Sequence, residues 1–360
     1  MLHLSSIAIQ PLGRRSFVAA AGLGIVTVAG ALAGCGQESK DDGATGSAAS
    51  AGSADASSKK GVQVRVASLK GPTSIGLVDF INLVQTGDGG FANSYDFQIM
   101  TAADEILPQV IKGDIDIALI PANAASVLYN KTEGGIVCFD INTLGVLSVV
   151  TGDASVTSFS DLAGRTVYLT GKGTTPEYTM NYLLDAAGIA GSVTLEFKSE
   201  AAEVVSVLAA DASAVGVLPQ PFVTAALEKN EALSAPVDLN DVWDEYAEEG
   251  SQMVTGVTIA RREFAEEHPD VITEFANAQA DSVGVVNDNP DMAAPLVVDL
   301  GIIDNDAVAA KAIPSCHLVC ITGDEMTDAL SGYLDVLYNA DPSSVGGALP
   351  EADFYDSVDA

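Results

Sequence analysis

The stretch that decides the fold is Ile115-Asp-Ile-Ala-Leu-Ile-Pro-Ala-Asn123. Its first six residues are mostly apolar, which favours a buried strand, and Pro121-Ala122-Asn123 then stops that strand. A helical pattern follows at once and reaches Tyr129. A buried strand that turns directly into a helix is the repeating unit of α/β folds. The stretch therefore predicts a strand of a sheet that is covered by helices.

The same unit precedes this stretch and also follows it. Before it, the pattern predicts strands over 62–67 and 95–100 and helices over 74–84 and 103–111. After residue 144 it predicts strands over 166–169, 193–197 and 214–218 and helices over 177–187 and 200–209. The chain then becomes helical over 261–284 and 292–300, with too few strands for a third lobe. We therefore predict an α/β fold of two lobes, each a mostly parallel sheet covered by helices, with the C-terminal part packed on the first lobe.

The N-terminus has the pattern of an export signal. Arg14-Arg15 opens an uncharged segment rich in Ala, Gly and Val that closes with Leu32-Ala33-Gly34-Cys35. This pattern is typical of a twin-arginine signal peptide over 1–34, and its end resembles a bacterial lipobox whose cysteine, Cys35, is acylated. The alternative is an uncut membrane anchor, but the segment is weakly hydrophobic and barely long enough to span. We predict a protein that is lipid-anchored at the extracytoplasmic face of the bacterial cell membrane.

Residues 35–61 follow the signal and are rich in Ala, Ser and Gly. They include no large apolar residue before Val62, and such a composition predicts a flexible linker. About 300 residues remain for the globular part, which is enough for one large domain or two smaller ones.

The charge and the cysteines limit the classes of partner and cofactor. The whole chain has a formal net charge of -33, and removal of Arg14 and Arg15 with the signal leaves 14 basic and 49 acidic residues, a net charge of -35. This excess of acid argues against a nucleic-acid partner. Cys138, Cys316 and Cys320 are too few for a disulfide framework, and with His317 they fall short of a zinc site. We predict no metal and no cofactor.

Three turns are candidates for binding a small polar solute. Each follows a predicted strand and leads into a helix, where free N–H groups and short polar side chains can hold a polar head group. The alternative is that these side chains only cap the helices. The candidate residues of the three turns are Lys70, Thr73 and Ser74 in the first, Asn123 in the second, and Lys172, Gly173, Thr174 and Thr175 in the third.

The sequence has no recognisable catalytic motif. The Gly-Lys pair of the third turn would need a glycine at position 166 to form a phosphate-binding loop, and Thr166 lies there instead. Only His268 and His317 remain after the signal, and neither lies in a nucleophile or zinc motif. Trp243 and Tyr246 either stack on a heterocyclic solute or, as we favour, pack a helix onto a lobe. We predict no catalytic residues and no enzyme activity.

These residues together resemble a known group of proteins. The turns described above, the segment Ser158-Phe-Ser-Asp-Leu-Ala-Gly-Arg165 and the segment Val217-Leu-Pro-Gln-Pro-Phe222 carry the resemblance. The chain from about residue 62 to 356 resembles the substrate-binding lipoproteins of ABC importers, in the nitrate/sulfonate/taurine and thiamine-precursor group.

The resemblance implies a two-lobe clamp of the type II periplasmic-binding-protein fold. Its two crossovers would lie near Asn142-Thr143-Leu144 and Thr255-Gly256-Val257, which places lobe 1 over 62–143 with 256–360 and lobe 2 over 144–255. Asn142 and Gln220 complete the predicted ligand-binding set. One departure concerns the turn after Asn142, where no basic residue is available to clamp a sulfonate, and this argues against a strongly anionic ligand.

The resemblance also implies a function and partners. We expect a monomer that captures a small polar solute between its lobes and delivers it to an ABC permease and its ATPase. A second hypothesis is an extracytoplasmic enzyme on the same clamp fold that acts on a pyrimidine or thiamine precursor. A third is a signalling lipoprotein that binds solute for a membrane sensor.

Overall fold

The computed structural model describes residues 61–247 and 251–356. The signal peptide predicted over 1–34, the acylated Cys35 and residues 36–60 of the linker predicted over 35–61 lie outside these residues. Among the described helices, none has the length and apolar character needed to span a bilayer.

Eleven strands lie in the described part of the chain. They are β1 (Gln63–Leu69), β2 (Ser94–Met100), β3 (Ile117–Pro121), β4 (Ile136–Leu144), β5 (Leu147–Thr151), β6 (Thr166–Leu169), β7 (Thr194–Phe197), β8 (Val215–Pro219), β9 (Ser234–Asp238), β10 (Val254–Arg261) and β11 (Leu318–Ile321).

Thirteen α-helices accompany the strands in the described residues. They are α1 (Pro72–Ile75), α2 (Val78–Thr86), α3 (Ala103–Lys112), α4 (Ala122–Lys131), α5 (Thr175–Ala186), α6 (Ala201–Ala210), α7 (Phe222–Lys229), α8 (Leu239–Tyr246), α9 (Arg262–Glu267), α10 (Pro269–Asp288), α11 (Pro290–Asp299), α12 (Asp306–Ala312) and α13 (Gly323–Ala340).

The sheet of lobe 1 has six strands in the order β11-β4-β10-β3-β1-β2. Strands β1, β2 and β3 pair in parallel, and β10 pairs antiparallel with both β3 and β4. Four of the six strands, β1 to β4, therefore run in the same direction. Two antiparallel pairs arise because β10 enters lobe 1 from the other lobe and inserts between β3 and β4; the third joins β11 to β4. The prediction of a mostly parallel sheet is thus confirmed for strand direction, although the pairing is mixed.

The sheet of lobe 2 has five strands in the order β7-β6-β8-β5-β9. Strand β6 pairs in parallel with β7 and β8, whereas β5 is antiparallel to β8 and β9. Only β5, which carries the chain out of lobe 1, opposes the other four strands. All its strands lie within 147–238, and those of lobe 1 lie within 63–144 and 254–321. The predicted lobe boundaries at 143/144 and 255/256 remain our proposal, and this sheet membership supports them.

Helices cover both faces of each sheet. On one face of lobe 1, Phe80 and Phe275 pack edge-on at 5.5 Å between ring centroids, which joins α2 to α10. The other face shares a buried cluster with lobe 2, in which Trp243 of α8 lies 5.2 Å from Tyr333 of α13. Trp243 is fully buried. The interpretation of Trp243 as a packing residue therefore agrees with the structure, and the C-terminal helix α13 contacts both lobes.

Most sequence-predicted elements lie within a few residues of the observed ones. The predicted helix over 74–84 is in fact two helices, because the chain turns at Gly76-Leu77 between α1 and α2. The predicted helix over 261–284 likewise divides at His268, which precedes Pro269 at the start of α10. Cys316 lies before β11 and Cys320 lies within it, and both are free thiols together with Cys138.

Candidate functional site

The candidate site lies where the two lobes are joined. Strands β1, β3 and β4 all run toward one edge of the lobe 1 sheet, and the antiparallel β10 starts at that edge. In lobe 2, β6 and β8 end and β5 starts at one edge. Only residues 145 and 146 separate β4 from β5. These two edges, called the crossover edges below, carry the strand-to-helix turns that sequence reasoning selected.

Thr73 and Asn142 meet at the crossover edge of lobe 1. Both approach Gly256 of β10: a Cβ atom placed on Gly256 would lie 2.5 Å from Oδ1 of Asn142 and 2.7 Å from Cγ2 of Thr73. Asn142 is 3% exposed and Thr73 7%. The absence of a side chain at Gly256 is thus what allows the two predicted residues to come together.

Asn123 and Thr175 meet across the lobes. Oγ1 of Thr175, at the start of α5, donates to Oδ1 of Asn123, at the start of α4, at 3.4 Å. Both residues are fully buried. The amide nitrogen of Asn123 donates to the carbonyl oxygen of Ser344 at 3.0 Å, so this side chain also holds the C-terminal segment. The structure therefore brings one predicted residue of each lobe into contact.

The first turn satisfies its own hydroxyl groups. Thr73 Oγ1 and Ser74 Oγ both donate to the carbonyl oxygen of Leu69, at 2.8 and 2.5 Å. Ser74 Oγ also lies 2.6 Å from the hydroxyl of Ser68, a residue that the sequence did not single out. Lys70 is exposed. These bonds stabilise the turn, but they are not helix caps: the N-cap residue of α1 is Gly71, and no side chain caps this helix.

The third turn is also bonded internally. The N–H of Gly173 donates to a carboxylate oxygen of Glu177, and Thr174 Oγ1 donates to the carbonyl oxygen of Gly171 at 2.8 Å. Lys172 is exposed, as is Gly173. The Glu177 carboxylate thus accepts the hydrogen bond from the Gly173 N–H, a donor that we predicted to be available to a solute. The donor would be free only if Glu177 moved.

Gln220 lies at the crossover edge of lobe 2 but is held by its neighbours. Its Oε1 accepts from Oγ1 of Thr224 at 2.9 Å, and its backbone N–H donates to the carbonyl oxygen of Val146 at 3.0 Å. Its Oε1 also accepts from the backbone N–H of Thr224 in the first turn of α7 at 3.3 Å, while its amide nitrogen has no hydrogen bond to any described residue. Gln220 remains a candidate contact by its position.

Sequence reasoning missed several residues of this region. Thr255, beside Gly256 on β10, has a buried Oγ1 with no hydrogen-bond partner in the described residues. Oγ1 of Thr179 on α5 lies 3.0 Å from the hydroxyl of Tyr333 on α13, a polar contact between a lobe 2 helix and the C-terminal helix. No local pattern marks Thr179, because its partner Tyr333 lies 154 positions away in the sequence.

Asp140 is the buried acid beneath the crossover edge of lobe 1. It is fully buried on β4, and burial raises its pKa to about 7 although hydrogen bonds from Thr258 and Gln279 favour its charged form. Its Oδ2 atom has no hydrogen-bond partner in the described residues. The nearby thiol of Cys320 also has a raised pKa because it is buried. Through the hydroxyl of Thr258, this acid is connected to Asn142 of the predicted site.

His317 forms hydrogen bonds to the first crossover, at Leu144 and Gly145. Its Nδ1 atom hydrogen-bonds to the carbonyl oxygen of Gly145, and its own carbonyl oxygen accepts from the N–H of Leu144 at 3.2 Å. This gives the histidine a structural task. Within the described ranges, no group of three or more His, Cys, Asp or Glu side chains is arranged to hold a metal ion.

Two surface depressions lie away from the crossover edges. One, of about 340 Å³, lies between α5 and α13 and includes Tyr182 and Asp335 in its lining. The other, of about 480 Å³, lies at the opposite edge of the lobe 1 sheet and includes Arg261 and Arg262. Neither is lined by a residue that the sequence predicted for the site.

The comparisons with known proteins agree with this architecture. Residues 136–293 match the model of the family described as NMT1/THI5 like. The matched segment runs from β4 to α11 and so includes lobe 2 and both crossover strands. The resemblance predicted from the sequence is confirmed. No curated protein matches the chain by sequence.

Several solved structures are similar along most of the chain. An ABC transporter protein from Parabacteroides distasonis has 24% sequence identity and a TM-score of 0.68, with 82% of this chain and 98% of that chain covered. The periplasmic aliphatic sulphonate binding protein SsuA from Escherichia coli has 14% identity and a TM-score of 0.64, with coverages of 79% and 90%. The ligand-binding component of an ABC-type import system from Staphylococcus aureus has 15% identity and a TM-score of 0.63, with coverages of 82% and 96%. The chain therefore has the two-lobe periplasmic-binding-protein fold.

Proposed function

We propose that this chain is an extracytoplasmic solute-binding lipoprotein that takes a small polar solute between its lobes and delivers it to an ABC permease with its ATPase. The observation that carries the proposal is the pair of crossover edges, each with strand-to-helix turns. Two lobes joined by two strands can close on a solute by a hinge motion. The similar structures include a periplasmic aliphatic sulphonate binding protein and the ligand-binding component of an ABC-type import system, which supports a solute-binding role.

The contacts between the lobes support closure as the working motion. The hydroxyl of Thr175 reaches Asn123 across the lobes at 3.4 Å, which is long for a hydrogen bond between these atoms. A bond of this length can be exchanged for bonds to a solute at little cost. Closure is favoured only as far as a solute makes better contacts with both lobes when they are shut.

The anchoring and the delivery belong to the same proposal. The support for the anchor is the Arg14-Arg15 to Cys35 pattern, and the linker up to residue 61 would let the lobes turn relative to the membrane. We propose that the protein acts as a monomer, because two lobes of one chain provide both sides of the site. A sensor in place of the permease is an alternative partner for the same solute-bound form.

A thermal-shift screen of the purified protein tests the binding role. A solute at 100 times its Kd stabilises the folded state by about 2.7 kcal/mol, which raises the Tm of a protein of this size by roughly 5 °C. Thr175→Val should lower the affinity for the solutes found in the screen by about tenfold, because it removes a hydroxyl at the contact between the lobes. Ser160→Ala, at an exposed position of lobe 2, is the matched control and should leave their affinity unchanged. A broad panel of polar solutes with no shift would reject the proposal.

The absence of enzyme activity is part of the proposal. A hydrolase or transferase requires an activated group near the solute. Asp140 has a raised pKa, but it is fully buried and bonded to Thr258 and Gln279. Incubation of each hit solute with the protein, followed by mass spectrometry, should return the solute unaltered. Turnover that is lost in Asp140→Asn would instead favour the enzyme hypothesis.

A further inference from the structure

A buried polar relay connects the core of lobe 1 to the predicted site residue Asn142. Its members are Asp140 and Asn142 on β4, Thr258 on β10 and Gln279 on α10. Each is at most 3% exposed. Because β4 and β10 are the two crossover strands, the relay links both of them to the helix behind the sheet.

The directions of the hydrogen bonds are determined by proton counting. Oδ1 of Asp140 accepts from Thr258 Oγ1 and from Gln279 Nε2, both at 2.8 Å. A threonine hydroxyl has one proton, and here that proton is committed to Asp140. The oxygen of Thr258 can then only accept, and the amide nitrogen of Asn142 donates to it at 3.1 Å.

The relay holds the amide of Asn142 in one orientation in both protonation states of Asp140. Oδ1 of Asp140 already accepts two hydrogen bonds, so a proton would reside on Oδ2, which has no partner in the described residues. Thr258 therefore donates to Oδ1 whether Asp140 is charged or neutral. The amide nitrogen of Asn142 stays turned toward Thr258, and its carbonyl oxygen is turned the other way.

The carbonyl oxygen of Asn142 faces the crossover edge. It accepts from Thr143 Oγ1 at 2.9 Å and lies 2.5 Å from the position of a Cβ atom on Gly256. An amide oxygen has two lone pairs, so one remains for another donor.

The positive charges of lobe 1 are concentrated away from this oxygen. Arg65 and Arg261 both bind Asp116 at the opposite edge of the sheet, at 2.6 and 3.0 Å. Lys70, near the crossover edge, and Lys172, in the third turn of lobe 2, are exposed. The buried ionisable group beneath Asn142 is the acid Asp140. An anion that has only acceptors would thus face the carbonyl oxygen of Asn142, with Asp140 behind it. This is unfavourable because neither group can donate a hydrogen bond to the anion or offset its charge.

We propose that Asn142 is a specificity-determining acceptor and that the solute carries an N–H or O–H donor, as in an amine, an amide or an alcohol. Asp140 and Thr258 are positioning residues that keep the Asn142 oxygen available. The inference rests on the proposed solute-binding function and separates this protein from one that selects acceptor-only sulfonates.

Matched small probes test the inference. Propylammonium and propionamide carry donors, whereas propane-1-sulfonate carries acceptors only, and all three share a three-carbon chain. Binding to the purified full chain is measured by titration with ligand-observed NMR. We expect each donor probe to bind at least tenfold more tightly than the sulfonate, which corresponds to one buried hydrogen bond. Preference for the sulfonate would overturn the inference and leave the proposed function standing. If neither these probes nor the broad solute panel binds, the proposed function fails and the inference fails with it.

Two variants test the relay separately. Thr258→Val removes the oxygen that holds the Asn142 amide and should reduce the preference for donor probes by about tenfold. Thr258→Ser keeps the hydroxyl and should retain the preference within threefold. An unchanged preference in Thr258→Val would show that the relay does not position Asn142. If Thr258→Val does not fold, the wild-type protein decides the question: nuclear Overhauser effects should connect the Asn142 amide protons to Thr258, and contacts with Thr143 instead would reject the orientation.

Discussion

At the scale of single residues, Asp140 has a clear thermodynamic signature. Burial raises its pKa from 3.8 to about 7 in the folded protein. The folded state holds the Asp140 proton more tightly than the unfolded state does. The contribution of Asp140 to the free energy of unfolding is therefore largest below about pH 4. The free energy of unfolding should fall as the pH rises from about 4 to 7 and then level off.

Asp140→Asn should flatten this pH dependence, because the amide does not titrate. The difference in the free energy of unfolding between the variant and wild type should shift in favour of the variant by a few kcal/mol between about pH 4 and pH 7. Urea denaturation at pH 4.5, 6 and 7.5 measures the difference. The matched control is Asp96→Asn, at an exposed position of β2, which should keep the wild-type slope. Parallel curves of the free energy of unfolding against pH for wild type and Asp140→Asn would contradict the raised pKa.

The thiols of Cys138 and Cys320 near Asp140 have raised pKa values and stay neutral between pH 4 and 7, so they do not contribute to this pH dependence.

Gly256 provides the second residue-scale prediction. A Cβ atom at this position would lie within 2.7 Å of both Asn142 and Thr73, closer than real Cβ contacts. Gly256→Ala should therefore destabilise the protein by about 1–3 kcal/mol through overpacking, and it should also lower solute affinity. Gly284→Ala, inside α10 with open space around the new Cβ, is the control and should be neutral or stabilising by up to about 1 kcal/mol. Equal Tm values for Gly256→Ala and wild type would contradict the close approach.

At the scale of elements, α13 is the helix that joins the lobes from behind. Its Tyr333 is fully buried, packs against Trp243 at 5.2 Å between ring centroids and lies 3.0 Å from the hydroxyl of Thr179. Burial raises the pKa of Tyr333 to about 12, so the hydroxyl is neutral and can donate at physiological pH. The helix therefore connects α8 and α5 of lobe 2 to the lobe 1 sheet that it covers.

Tyr333→Phe should cost about 1–2 kcal/mol, because it leaves the buried hydroxyl of Thr179 without its partner. Tyr338→Phe, on the same helix but only half-buried, is the control, since its hydroxyl has no hydrogen bond to the described residues. Thermal denaturation of both variants measures the difference. A decrease in stability in Tyr338→Phe as large as that in Tyr333→Phe would show that loss of the Thr179 contact does not cause the destabilisation.

Element boundaries were predictable where a local signal marks the end of an element. Strand β3 ends at Pro121 and α3 is followed by Gly113 with φ of 76°, a left-handed conformation that suits glycine. The third turn was identified correctly as a strand-to-helix turn, but its capping by Glu177 was not foreseen. Which donors a turn keeps free depends on side-chain packing, and a sequence pattern does not carry that information.

At the scale of the whole molecule, one ion pair joins the lobes at the surface. Lys311 of α12 contacts Glu228 of α7, and both side chains are largely exposed. Such a pair is worth under about 1 kcal/mol in water. Since α12 packs in lobe 1 and α7 in lobe 2, the pair favours the arrangement of the lobes seen in this structure by that small amount.

Charge reversal tests this contribution. Glu228→Lys places two ammonium groups together and should increase the radius of gyration measured by small-angle scattering at low salt. Adding Lys311→Glu restores opposite charges and should restore the wild-type radius. Because the charges are exposed, 0.5 M salt should abolish the difference. An unchanged radius in Glu228→Lys at low salt would show that the pair has no influence on closure.

The sequence by itself determined the α/β class, the division into two lobes and the edges at which polar turns collect. It could do so because hydrophobic period, proline and glycine act within a few residues of one another. Only the tertiary structure decided that Asn142 meets Thr73 over Gly256 and that Asp140 is bonded to Gln279, a residue 139 positions away. These contacts depend on β10 inserting between β3 and β4. A pairing between strands so distant along the chain is selected by the packing of the whole sheet, which no local pattern records.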